Sequence, residues 1–220
     1  MLVNGVEDPA ELSAKATERA QQQQFTEAET LWKRAVSLAP AFFPAWFNLG
    51  RMYLEQSRFE EAQQALQQAA KLRPSDFATR YLLGLALVRL GRREDALRQW
   101  RRALEADPGN VKLMLIMAVE YSEGRYFEEA AKVAERAVTL KPEDPAAWFV
   151  AIKAYQDAGQ DREALRLAEK AVKRFPNSAR ANFEYGYELY RTSHPKQALI
   201  YFERAIELDP NYEEIGRAHV

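Results

Sequence analysis

Apolar residues recur along the chain at three- and four-residue spacing. Trp46, Leu49, Gly50 and Tyr53, for example, are followed by Phe59, Ala62, Leu66, Ala69 and Leu72. This is the period of one helical face, so each such stretch predicts two amphipathic α-helices in succession. A short turn separates the pair, marked by Gly91, by Gly159 or by the Ser193-His194-Pro195 run. The second helix is expected to end at a proline, which disfavours helical backbone at the residue before it. Pro44 and Pro145 stand near helix starts, where a missing N–H costs little.

The pattern repeats. Prolines stand at 40, 74, 108, 142, 176 and 210, each 34 residues from the last. An unbroken period of that length predicts a repeat array. Counting each proline as the thirty-second place gives a lead-in over 1–8, six repeats over 9–42, 43–76, 77–110, 111–144, 145–178 and 179–212, and a tail over 213–220. The other columns align without gaps. The twentieth place is Ala28, Ala62, Ala96, Ala130, Ala164 and Ala198, and the twenty-seventh is Ala35, Ala69, Ala103, Ala137, Ala171 and Ala205. Small residues at fixed points let two helices approach closely. The eighth place is small as well (Ala16, Gly50, Gly84, Ala118, Gly186), with Ile152 as the exception.

These columns resemble the tetratricopeptide repeat family, whose pattern sets Trp, Leu-Gly and Tyr on the first helix and Ala, an aromatic, Ala and Pro on the second. Repeat 2 matches best, through Trp46, Leu49, Gly50, Tyr53, Phe59, Ala62, Ala69 and Pro74. The resemblance covers all six repeats and implies an all-α fold, a right-handed α-solenoid of helix-turn-helix units. Departures are local: Arg80 and Asn182 replace the Trp, Ala151-Ile152 replaces Leu-Gly, and Ala134 and Ala168 replace the bulky residue of the second helix.

The two ends differ from the middle. Repeat 1 has Leu12, Lys15, Ala16 and Arg19 where later repeats carry large apolar residues, followed by Gln21 to Gln24, so its first helix reads as a polar cap on the stack. In repeat 6, Leu199, Phe202 and Ile206 are expected to present an apolar face that nothing covers, and self-association through that helix is an expectation. The stretch from Glu214 to Val220 fits no repeat column and resembles the translation of a common sequencing adapter. The natural gene is therefore expected to continue beyond Glu213, with this tail a read artefact or scar.

Composition narrows the chemistry. With no cysteine and only His194 and His219, a disulfide framework, a thiolate metal site and a cysteine nucleophile are excluded. No catalytic constellation, metal cluster or phosphate-binding glycine loop is legible, so the chain is expected to be no enzyme and to need no cofactor or metal. Glu60-Glu61, Glu94-Asp95 and Glu128-Glu129 recur at the start of second helices, where carboxylates complement the helix dipole. A net charge of -1 argues against a nucleic-acid coat. Repeat 3 is the most basic, at +3, through Arg89, Arg92, Arg93, Arg98, Arg101 and Arg102, but Glu94, Asp95, Glu105 and Asp107 interleave with them. A salt-bridged, solvated face is therefore favoured over RNA binding. No apolar run approaches the roughly 18 to 20 residues that span a bilayer, and the first residues lack a basic head and an apolar stretch. The chain as written therefore reads as soluble, without an export signal, and cytoplasmic by default.

Function is then expected on a surface. The resemblance implies that first helices line a concave groove and expose their second, fifth, ninth and twelfth places there. The fifth place reads Phe47, Tyr81, Leu115, Phe149 and Phe183; the ninth reads Arg51, Leu85, Val119, Lys153 and Tyr187. Leu85 and Val119, with Val88, Tyr81 and Leu115, are expected to form an apolar patch. The first helix of repeat 4, Val111 to Val119, is apolar almost all round. These residues predict a protein or peptide segment with apolar anchors, flanked by acids that meet Arg51, Arg89, Lys112 or Lys153. Relatives that clamp a C-terminal carboxylate use lysines and asparagines where this chain has Phe47, Arg51 and Leu85, so that ligand is not expected. The leading reading is a non-enzymatic interaction scaffold. The alternative is the regulatory or substrate-recruiting part of a larger enzyme, such as a glycosyltransferase, peptidase or kinase.

Overall fold

The computed structural model describes residues 7–212, so the suspected adapter tail and His219 lie outside the described residues. The described residues form twelve α-helices, two to a repeat: α1 (Pro9–Gln21) and α2 (Phe25–Leu38), α3 (Phe43–Glu55) and α4 (Phe59–Leu72), α5 (Phe77–Arg89) and α6 (Arg93–Ala106), α7 (Val111–Glu123) and α8 (Phe127–Leu140), α9 (Pro145–Asp157) and α10 (Asp161–Arg174), α11 (Ala179–Arg191) and α12 (Pro195–Leu208). No strand occurs among the described residues, and the fold is an all-α helical repeat. It divides into an N-terminal body, α1 to α6, and a C-terminal body, α7 to α12.

Helix ends follow one scheme. Asp8, Asp76, Asn110, Asp144 and Ser178, all at the place before a first helix, each accept a backbone N–H of the first turn. Phe42 holds that place in repeat 2 and makes no side-chain cap. The turn inside each repeat is built on a left-handed residue at the fifteenth place: Gln23, Ser57, Gly91, Arg125, Gly159 and Ser193, with φ between 59° and 73°. The next residue's N–H returns to the helix, as in Arg92 N to Leu87 O at 2.8 Å and Tyr126 N to Tyr121 O at 2.8 Å. This is a Schellman closure that satisfies an otherwise orphan carbonyl.

Within each body, hairpins pack in sequence: α1 on α2, α2 on α3, α3 on α4, α4 on α5 and α5 on α6, and likewise from α7 to α12. First helices also touch one another, α1 on α3, α3 on α5 and α7 on α9. All twelve column alanines are buried. The glycines of the eighth place lie under the residue of the twenty-fourth: a methyl group added to Gly50 would strike Leu66, one on Gly84 would strike Trp100, and one on Gly186 would lie 2.9 Å from Phe202 Cδ1.

The fourth place explains the substitutions for Trp. Trp46 and Trp148 donate their indole N–H to the carbonyls of Pro40 and Pro142, each at 2.8 Å. Arg80 Nε donates to Pro74 O at 2.9 Å, and Asn182 Nδ2 to Pro176 O at 3.0 Å. Three residue types thus serve one acceptor, the carbonyl left free where the preceding helix ends at its proline.

Candidate functional site

In the N-terminal body the candidate surface lies on α3 and α5. Phe47 is half-buried and stacks on Phe43 at 5.7 Å between ring centres, while Arg73 covers Phe43 at 4.1 Å. Tyr81 stacks on Phe77 at 6.0 Å, and its carbonyl accepts the Trp100 indole N–H at 3.0 Å. Leu85 and Val88 are half-buried, one turn and two turns beyond Tyr81 on α5. Arg51 is exposed and pairs with Glu55 of its own helix at 3.9 Å.

In the C-terminal body the surface lies on α7, α9 and α11. The almost uniformly apolar α7 buries Val111, Leu113, Met114, Met117 and Ala118, leaves Leu115 and Ile116 half-buried, and exposes Val119 at 49%. Lys112 is exposed, and Lys153 is exposed but ion-paired to Asp157. Tyr187 is half-buried and stacks on Phe183 at 6.3 Å.

The fifth place departs from expectation here. Phe149 and Phe183 were expected in the exposed set, but both are buried. Arg180 lies over the Phe149 ring at 4.4 Å, and Phe183 packs against Phe202 at 5.6 Å and Tyr212 at 5.5 Å. Their covers come from a helix one repeat on or from the far end of repeat 6, which spacing along one helix does not reveal. The face of α12 differs too. Phe202 and Ile206 are half-buried, and the residues left exposed are Leu199 and Ile200.

Carboxylates that sequence reading passed over tie the hairpins together. Glu29 on α2 accepts the Tyr53 hydroxyl at 3.0 Å, Arg58 at 2.6 and 3.1 Å, and Lys33 at 2.6 Å. Chiefly through Arg58, its carboxyl is held down to about 2. Glu135 on α8 takes the equivalent part in the C-terminal body, accepting Tyr155 at 2.7 Å and Arg166 at 3.0 Å, and is likewise held low. Burial, then Glu135, pushes Tyr155 up to about 12. Carboxylates held ionised by several donors bind helices together and are poor proton carriers.

Glu188 on α11 is the opposite case. It is wholly buried; Gln156 Nε2 donates to one oxygen at 2.8 Å, Arg191 stands 3.5 Å away, and the other oxygen has no hydrogen-bond partner. Burial pushes its carboxyl up. A raised carboxyl suits proton transfer, yet none of its surface is open to a substrate. His194 is exposed, 3.3 Å from Thr192, in the last turn. Among the described residues no group of acids and histidines could hold a metal ion, and no helix is long and apolar enough to cross a membrane.

Comparison with known proteins agrees with the hairpin geometry. A family model for the tetratricopeptide repeat matches residues 13–77, 51–111, 81–145 and 149–213. No curated protein matches the chain. Among solved structures, YrrB, described as a TPR protein with an unusual peptide-binding site, is 20% identical with a TM-score of 0.68, covering 85% of this chain and 96% of its own. A structure of MamA protein is 19% identical with a TM-score of 0.67, over 78% of this chain and 94% of its own. MamA from Desulfovibrio magneticus RS-1 is 22% identical with a TM-score of 0.64, over 77% and 96%. With the period, the alanine columns and the hairpins in register along most of its length, the chain belongs to the tetratricopeptide repeat family.

Proposed function

We propose that this protein is a non-enzymatic interaction scaffold that binds an extended or helical protein segment on its first-helix surfaces. The carrying observation is the exposed Val119, one turn beyond the half-buried Leu115 on a helix whose other apolar residues are largely enclosed. Where partly open apolar side chains adjoin on one helix face, as Leu115, Ile116 and Val119 do, a partner that covers them gains their burial. Tyr81, Leu85 and Val88 offer a second such contact on α5. Arg51 in the N-terminal body, and Lys112 and Lys153 in the C-terminal body, favour acids in the ligand, although Arg51 and Lys153 must first release Glu55 and Asp157. Supporting this reading are the family's stacked hairpins, which leave regular surfaces for partners, and the peptide-binding site named for YrrB.

The test is selection of a displayed peptide library on the purified chain, with Leu85→Asp and Val119→Asp variants run singly and together at the same salt. Apolar-acidic peptides should be enriched by the native chain and lost, at least in part, by each variant. An unchanged peptide set on the double variant, or no enrichment at all, would overturn the assignment.

A further inference from the structure

Arg80 occupies a place where repeats 2 and 5 carry tryptophan, and it brings a charge inside. It is only 7% exposed, with Nε on the Pro74 carbonyl at 2.9 Å and Nη1 on Gln99 Oε1 at 2.5 Å. Both partners are neutral. A buried cation is normally balanced by a carboxylate, because removing it from water without one is costly. No carboxylate forms an ion pair with Arg80 among the described residues; its charged neighbours are Arg102, which repels it, and Glu105, which favours it only at a distance.

The guanidinium opens onto a cleft of about 480 Å³ between α4 and α6, floored by α5, with Lys71 on one wall and Arg92, Gln99 and Arg102 on the other. Asp95 is the single acid of the lining, and it is engaged by Arg92 at 2.6 Å and by Arg98. A smaller cleft, about 340 Å³, reaches Arg80 and Arg102 from the side of Glu105. The volume suits a small molecule, and the uncompensated charge is positive.

We propose that the cleft between α4 and α6 binds a small-molecule oxyanion, phosphate or carboxylate, with Arg80 as the buried anchor and Arg102 closing on the ligand from the rim. The guanidinium fork matches either group, and Gln99 fixes its orientation by accepting from Nη1. This site is separate from the apolar contacts of the first-helix surfaces, and its occupancy supplies the counter-ion that the fold omits.

The test is titration calorimetry of the full chain at constant ionic strength, with inorganic pyrophosphate and citrate as probes. Two variants accompany it. Arg80→Trp restores the indole donor that meets the proline carbonyl in repeats 2 and 5, so the repeat keeps its hydrogen bond and loses the charge; Arg102→Gln changes an exposed side chain. Saturable binding of one probe should weaken about ten- to a hundredfold in each variant, the range for losing one charged hydrogen bond. Preference for pyrophosphate marks a phosphate site, and preference for citrate a carboxylate site. Arg80→Trp should also raise the unfolding midpoint in anion-free buffer. Absence of binding by both probes, or equal binding by both variants and the native chain, would overturn the proposal.

Discussion

Repeats 3 and 5 fill one slot in opposite ways. In repeat 3 the eighth place is Gly84 and the twenty-fourth is Trp100, fully buried, with its ring where a glycine methyl would be. In repeat 5 the same two places hold Ile152 and Ala168, again fully buried. The large residue has moved from the second helix to the first. Across that contact repeats 3 and 5 each keep one large residue, so the two departures of repeat 5 that look independent in the sequence are one compensated change; repeat 4, with Ala118 and Ala134 at these places, keeps none. Repeat 1 adds a third solution, Ala16 beside Trp32, with a cost: the Trp32 indole N–H is buried without a partner, whereas Trp100 reaches the Tyr81 carbonyl.

The strongest way to break this comparison is Ile152→Ala, which empties the slot that Ala168 cannot fill and should cost about 2–5 kcal/mol in denaturant unfolding. Adding Ala168→Leu should recover part of that loss although it is harmful alone; purely additive effects would show that the two places do not face each other. Next comes Gly84→Ala. Its methyl displaces the Trp100 ring and breaks the bond to Tyr81, leaving repeat 3 in the condition of repeat 1, at about 1–3 kcal/mol. Indole fluorescence and the unfolding midpoint report both effects, and an unchanged midpoint would refute the packing.

Glu29 and Glu188 differ in the sign of their contribution. Glu29, held at about 2 by Arg58, stabilises the fold above the ordinary carboxyl pKa of 4.5, and that contribution is lost as pH falls from there towards 2. Glu188, pushed up by burial, does the reverse: it is harmless when protonated, and its cost grows as pH rises through and beyond 4.5. Glu29→Gln should therefore destabilise at pH 7, on the order of 1 kcal/mol after allowance for solvent screening. Glu188→Gln, which keeps an acceptor for Gln156, should raise the midpoint at pH 7 and leave it unchanged near pH 3. Equal signs at pH 7 would show that Arg191 compensates Glu188 fully.

The sequence made the frame legible because the frame is periodic: proline, two alanine columns and helical spacing recur every 34 residues. Features that use different residues for one task were hidden. Arg80, Asn182 and Trp46 look unrelated until their shared acceptor, a proline carbonyl, is seen. Phe149 and Phe183 read as surface residues because the side chains that cover them, Arg180 and Tyr212, lie about thirty residues away in sequence. The ties of Glu29 and Glu135 fall at different places in the repeat, so no column exposes them.

The turn inside each repeat gives the smallest and cleanest contrast. Gly91 and Gly159 hold the fifteenth place at φ of 73° and 67°, and Arg125 holds it at 64°. A methyl group at either glycine would touch nothing within 4 Å, so packing contributes no difference there and only backbone preference remains. An L-residue in left-handed conformation is strained by its own Cβ, and glycine is not. Arg125→Gly should therefore stabilise the chain by about 0.5–1 kcal/mol, and Gly91→Ala should destabilise it by a similar amount, the larger unfolded-state entropy of glycine trimming both. Opposite shifts of the unfolding midpoint for the two variants would tie the turn's energetics to φ at one place. A destabilised Arg125→Gly would mean that the exposed Arg125 side chain supports the turn.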